Sequence, residues 1–213
     1  MTDQTLTHLY FLLDRSGSMQ TIKSDIEGGF AAFVDEQRQA PGACRVTLAQ
    51  FDDEYDVVYA DRDVADVPPL DLRPRNMTAL HDAMGRMITD AGTGLARLPE
   101  DQRPGTVIVA IMTDGLENAS KEWTGPAIKT LVEQQTQQWG WQFMYMGADQ
   151  DAVEVGASLG VPAAQSMTYA RGKGREAMGK KSEKIRQMRA ARMTDAAAPM
   201  PAYTAQERAD LAE

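Results

Sequence analysis

Short runs of apolar, β-forming residues alternate along this chain with segments whose apolar residues recur at helical spacing, and few architectures accept that alternation. Leu6 to Leu13 is the first run, stopped by Asp14 and a Ser-Gly-Ser turn. Ile22, Ile26, Phe30, Phe33 and Val34 then repeat at helical intervals over residues 20–39, until Pro41-Gly42 ends the segment. Cys44 to Phe51 reads as a second strand, and the acidic Asp52-Asp53-Glu54 turn folds Tyr55 to Ala60 back on it as an antiparallel edge strand. An Asp- and Pro-rich connecting loop covers 61–77. From Thr78, the residues Leu80, Met84, Met87, Ile88, Ala91, Leu95 and Leu98 share one helix face. Thr106 to Thr113 is the clearest buried strand. A helix near 125–138, a strand from Trp141 to Met146, a short helix near 150–159 and a last strand around 163–169 complete the series. Strands that are apolar throughout need cover on both faces. The expected fold class is therefore α/β: a doubly wound, Rossmann-like, mostly parallel sheet with one antiparallel edge strand and helices on both faces.

The longest apolar runs, Leu9 to Leu13 and Val107 to Met112, are far too short to cross a bilayer. Residues 1–14 lack a basic n-region and a small-residue cleavage site, so no secretory signal is expected and the reading is cytoplasmic. The single cysteine, Cys44, excludes an intrachain disulfide framework, and it reads as a small buried apolar residue. With only His8 and His81, histidine-based catalysis has little to draw on.

The net charge of −9 hides an uneven distribution. Residues 1–170 hold 12 basic and 25 acidic side chains; residues 171–194 hold nine basic and two acidic ones. This shift divides the chain into an α/β domain over 1–170 and a basic, partly helical C-terminal extension over 171–213. Within the extension, Met178, Ile185 and Met188 form a narrow apolar stripe, residues 194–202 read as linker, and Thr204 with Glu207 forms a capping box. The basic arm either folds back on the acidic body, stays solvated, or touches phosphate.

The chemistry concentrates where strands end. Leu13-Asp14-Arg15-Ser16-Gly17-Ser18-Met19 places one carboxylate and two hydroxyls at alternate positions around Gly17, beyond the first strand. Ligands of doubly wound sheets bind there, and hard oxygen donors of this kind suit a small divalent cation such as Mg²⁺. Alone, the pattern also fits a strand-ending turn with a hydrogen-bonded Asp. Asn76-Met77-Thr78 adds a hydroxyl at a loop-to-helix junction, where Thr78 also suits a helix cap. Thr113-Asp114-Gly115 adds a carboxylate after the strongest strand, where an ordinary Asp-Gly turn is the alternative. Together these segments bring two carboxylates and three hydroxyls to one rim.

Those three motifs resemble, in order and approximate spacing, a von Willebrand factor A (VWA) domain with an intact metal-ion-dependent adhesion site (MIDAS), over roughly residues 5–170. The resemblance implies a metal site of Asp14, Ser16, Ser18, Thr78 and Asp114. The serines would be direct ligands, Asp14 would act largely through water, Thr78 would be the second-loop ligand and Asp114 the third-loop carboxylate. It implies Mg²⁺ or Mn²⁺ as the ion, with one position left for a Glu or Asp of a protein partner. Asn76 stands where Gly is frequent in the family, and Asn tolerates the left-handed backbone that position favours. Arg15 is expected on the rim, either selecting an acidic ligand or simply solvated. Met146 to Ala152 and Gly156 to Val161 are also similar to small prokaryotic and phage-borne members, and prokaryotic members are often linked to AAA+ ATPases.

The resulting expectation is a monomeric, non-catalytic, metal-dependent protein-interaction module with no membrane segment. No phosphate-loop or dinucleotide-binding glycine motif is present, and neither Ser16 nor Ser18 has an evident base. Two alternatives stand beside it: a structural or assembly protein, for instance of a phage-related particle, and a nucleic-acid-associated protein acting through 171–194. His81 is expected to be a helix-surface or packing residue.

Overall fold

The computed structural model describes residues 2–212. Its centre is β1 (Asp3–Asp14), flanked by parallel partners β2 (Ala43–Phe51) and β4 (Pro104–Thr113), with Leu13 opposite Gln50 on one side and Met112 on the other. Beyond β2 lies the antiparallel β3 (Tyr55–Asp63); beyond β4 lie β5 (Gln142–Ala148) and β6 (Ser166–Tyr169), both parallel. The order β3-β2-β1-β4-β5-β6 is the expected doubly wound sheet with one antiparallel edge. Chain direction across the sheet reverses between β1 and β4, which opens a crevice beyond their carboxyl ends.

Alternation along β1 divides the core. Leu9, Phe11 and Leu13 face α1 (Lys23–Gln39) and α5 (Gly174–Arg192), while Tyr10 and Leu12 face α2 (Leu80–Arg97) and α3 (Gly125–Trp139). The short α4 (Ala152–Ser158) joins the second face, and α6 (Ala205–Ala212) closes the first beside β6. α1 and α5 cross closely: a Cβ on Gly29 would stand 3.0 Å from the Arg175 Cα.

Three segments depart from expectation. β1 starts at Asp3, three residues early, because Asp3 pairs with Pro104 at the start of β4. β3 runs on to Asp63, with Asp61 at φ +48 where its register against β2 slips. The connecting loop is part of the core: Val64, Val67, Leu70 and Leu72 are buried against the α1 side without any periodic pattern that would have announced it.

The C-terminal extension is packed. Met178, Ile185 and Met188 are fully buried, and the stretch over 194–202 is held against the body, with Met200 accepting from Gln165 Nε2 at 3.1 Å. The capping box is made reciprocally, Thr204 N–H to Glu207 Oε2 at 2.8 Å and Glu207 N–H to Thr204 Oγ1 at 3.1 Å. Each of the nine basic side chains in 171–194 is engaged within the chain. Arg175 pairs with Asp25, Lys180 and Lys184 with Glu207, and Arg186 with Glu36. Arg189 donates to the carbonyls of Gln37 and Gly42 at the end of α1; Arg192 reaches Ala198 O and Thr106 Oγ1. Lys173 reaches Asp210 O, Lys181 donates to Ile111 O, and Arg171 pairs with Asp114 and Asp149. Of the three expectations for the arm, folding back on the acidic body is the one observed.

Candidate functional site

Asp14 is the last residue of β1 and has no exposed surface. Its Oδ1 accepts the Ser16 N–H at 2.6 Å and its Oδ2 accepts the Thr113 hydroxyl at 2.5 Å, which ties the end of β1 to the end of β4. Ser16 then starts a 3₁₀ turn (Gly17–Thr21) that swings the chain away from the sheet and brings Ser18 alongside, the two Oγ atoms 3.1 Å apart. Ser18 donates to Asp114 Oδ1 at 2.5 Å.

The second loop is pinned from both sides. Gly17 N–H donates to the Asn76 carbonyl at 3.2 Å, and Asn76 has φ +58, the left-handed conformation expected of it. Thr78 N–H donates to Asn118 Oδ1 at 2.9 Å, while Asn118 N–H returns to Thr78 O at 3.0 Å. α2 begins at Leu80 with Ala79 as its cap residue and no capping side chain, so the Thr78 hydroxyl is not spent on the helix. It turns toward Gly115. A Cβ built there would stand 2.9 Å from Thr78 Oγ1, 3.7 Å from Ser16 Oγ and 3.8 Å from Asp14 Oδ2. All five residues singled out in the sequence, Asp14, Ser16, Ser18, Thr78 and Asp114, thus converge on the crevice between β1 and β4.

Electrostatically the crevice is under strain. Burial pushes the Asp14 pKa up to about 6, against the pull of its bonds from Thr113 and Ser16, and the Asp114 charge adds to the rise. Asp114 is likewise raised by burial, with Ser18 and Arg171 acting the other way. Its Oδ2 is buried and accepts no hydrogen bond; the nearest cation is Arg171, whose Nη2 is 3.6 Å away. An orphaned carboxylate oxygen, a second buried carboxylate and three hydroxyls form an all-oxygen donor set that fits a hard divalent cation. Among the described residues no three His, Cys, Asp or Glu side chains cluster as a metal cage, so any ion here would be held mostly by hydroxyls and water.

Several residues at the site were not legible beforehand. Thr113 looked like part of a strand end, yet its hydroxyl donates to Asp14 and accepts the Gly115 N–H. Asn118 lies 40 residues from the Thr78 it holds. Arg171 and Asp149 come from the loops after β6 and β5, with Arg171 Nε 2.7 Å from Asp149 Oδ2. Arg15 is corrected: it is neither a rim selector nor solvated. It is buried, with Nε 3.0 Å from Asp52 Oδ2 and Nη2 2.6 Å from Asp56. Asp52 also takes Arg75 Nε at 2.6 Å, so one fully buried carboxylate joins the Ser16 loop to the Thr78 loop. His81 is a packing residue, half-buried beside Glu117 and close to Gly125.

No protein-family model matches the chain, and no curated protein matches it by sequence. Solved structures do match in shape. The proximal thread matrix protein 1 of the mussel byssus superposes at TM-score 0.59 with 13% identity, over 86% of this chain and 47% of that one, so the chain spans about half its length. A von Willebrand factor type A protein from Catenulispora acidiphila gives TM-score 0.53 and 16% identity, over 88% of this chain and 42% of that one. The vWF domain of the type V pili tip protein of Porphyromonas gingivalis gives TM-score 0.57 and 11% identity, over 84% of this chain and 94% of that domain. Strand order, the antiparallel edge and these superpositions agree: the chain has the von Willebrand factor A fold.

Proposed function

We propose that the chain is a metal-dependent protein-interaction module that takes an acidic side chain of its partner at the crevice between β1 and β4. The observation that carries this reading is the convergence of Ser16, Ser18 and Thr78 hydroxyls on two buried carboxylates, one with an orphaned oxygen. The pilus-tip and von Willebrand factor type A proteins that share the fold support an interaction or adhesion role.

In this reading Ser16, Ser18 and Thr78 would hold Mg²⁺ or Mn²⁺ directly, while Asp14 and Asp114 would orient its waters. When bound, the ion supplies an electrophilic centre for a Glu or Asp carboxylate. The protein's own part is to fix the donors in place. Thr113 and the Ser16 amide lock the Asp14 carboxylate, Asn118 locks the Thr78 backbone, and Gly115 leaves room between them. We read the site as non-catalytic because Ser16 and Ser18 bond each other and Asp114, while His8 bonds Thr47 and His81 lies against Glu117.

Calorimetric titration of Mg²⁺ and Mn²⁺ into chelator-treated protein, beside Asp14→Ala, tests the site. Saturable binding lost in the variant is expected, followed by chelator-sensitive capture of an acidic partner. Capture indifferent to chelator, Ser16→Ala and Thr78→Ala would instead favour the assembly role that the byssus matrix neighbour suggests.

A further inference from the structure

Among the described residues, Arg171 is the cation that pairs with the orphaned Asp114 oxygen, at 3.6 Å, and it comes from a loop that the metal-site motifs do not include. It is held there. Its Nε lies 2.7 Å from Asp149 Oδ2, and its own N–H reaches Asp149 Oδ1 at 3.4 Å. Asp149 itself sits at φ +49, and its N–H donates to the Tyr169 carbonyl at 3.2 Å, so the β5 and β6 loops are tied together beneath the guanidinium. The preceding residue is fixed as well, Ala170 N–H donating to Leu211 O at 2.7 Å. Arg171 is nonetheless partly exposed, with 42% of its side chain open to solvent, so it faces both Asp114 and whatever approaches the crevice.

We infer that Arg171 couples metal binding to carboxylate binding at this site. The inference rests on the metal-dependent reading above and concerns what this chain adds to it. A guanidinium is always charged, so near a divalent cation whose waters Asp114 would orient it is repulsive and would loosen the metal. An incoming carboxylate reverses that sign, because it is attracted by both positive charges and screens each from the other. Metal held loosely alone therefore becomes held firmly with a partner's acid in place, and by linkage the acid binds better to the metal-loaded protein. A side chain serving only to brace the loops would weaken both events when removed. Arg171 is expected to act on them in opposite directions.

The test is Mn²⁺ binding followed by the electron paramagnetic resonance signal of the free ion, in sodium chloride and in sodium acetate of equal ionic strength. Wild type, Arg171→Gln, Arg171→Lys and Asp14→Ala are compared, and complexation of Mn²⁺ by acetate in solution is common to all. In chloride, Arg171→Gln is expected to bind Mn²⁺ about three- to tenfold more tightly than wild type, by release of the like-charge repulsion. Acetate should tighten Mn²⁺ binding to wild type and Arg171→Lys, and much less to Arg171→Gln. Unchanged or weaker Mn²⁺ binding by Arg171→Gln, or an acetate effect that is absent in wild type or undiminished in that variant, overturns the coupling. A wild type that binds no Mn²⁺ in either medium, or an Asp14→Ala variant that binds as well as wild type, overturns the metal-site reading and the coupling with it.

Discussion

The Lys181 amine lies 2.9 Å from the Ile111 carbonyl oxygen in the interior of the protein, 5.1 Å from the centre of the Phe11 ring, with no exposed surface. Burial pushes its pKa down to about 7. Between that pH and the ordinary lysine value of about 10.4, the unfolded chain binds more protons than the folded one, so stability rises with pH. Below it both states carry the proton and the full cost of burying the charge is felt. Lys181→Met, which has no charge to bury, is expected to be more stable than wild type at pH 7. Wild type should recover about 2–3 kcal/mol relative to it by pH 9.5, as read from urea denaturation at the two pH values. Parallel pH profiles for the two proteins would refute this.

Thr113 holds Asp14 Oδ2 through a 2.5 Å hydrogen bond while accepting from Gly115 N–H at 3.2 Å. Thr113→Val keeps the shape and removes both bonds from a buried carboxylate and a loop amide. Metal-free protein should lose about 1–3 kcal/mol at pH 7 in denaturant titration. A loss within experimental error would mean that Asp14 is steadied by something other than Thr113.

Gly115 has room for no more than a hydrogen, since a Cβ would come within 2.9 Å of Thr78 Oγ1. Gly115→Ala should therefore displace that hydroxyl and weaken Mn²⁺ binding about 10–100-fold, as supporting contacts of a metal site commonly do when lost. Its melting temperature should stay within about 5 °C of wild type, because the change is confined to a loop. Full metal affinity in this variant would remove Thr78 from the donor set.

A chain ended after Ala170 would keep every strand but lose α5 and α6. Phe30 and Phe33 would then be uncovered on the face where Met178, Ile185 and Met188 now pack. Such a chain should bind the dye ANS and melt without a cooperative transition, as proteins do that keep secondary structure without fixed packing. A sharp melting transition would show that residues 1–170 form an independent unit.

These experiments divide along what the chain declares locally. The strands could be read because a sheet covered on both faces demands uninterrupted apolar runs, and Leu9 to Leu13 or Val107 to Met112 have no other use. The rim of hydroxyls and carboxylates was visible because Ser16, Ser18 and Asp114 sit at strand ends, where apolar pressure is absent. Asn76 announced its own φ. The fate of 171–194 was open because charge alone does not say where it is neutralised. Arg189 ends on the carbonyls of Gln37 and Gly42, and Arg186 on Glu36, all about 150 residues earlier in the chain. Arg15 misled for the same reason: its partners Asp52 and Asp56 are on another loop and strand. Val64, Val67, Leu70 and Leu72 were hidden among acids and prolines, in a segment that packs without repeating.

The buried carboxylate of Asp52 has a thermodynamic meaning for recognition. By gripping Arg15 from the first loop and Arg75 from the second, and by accepting the Glu54 N–H at 2.7 Å, it has already removed the freedom that two mobile loops would surrender on meeting a ligand. That ordering cost is met once, during folding, and is not charged again at each encounter. Association should accordingly proceed with little structural rearrangement, and an Asp52→Asn variant that still folds should reveal the difference as a less favourable binding entropy.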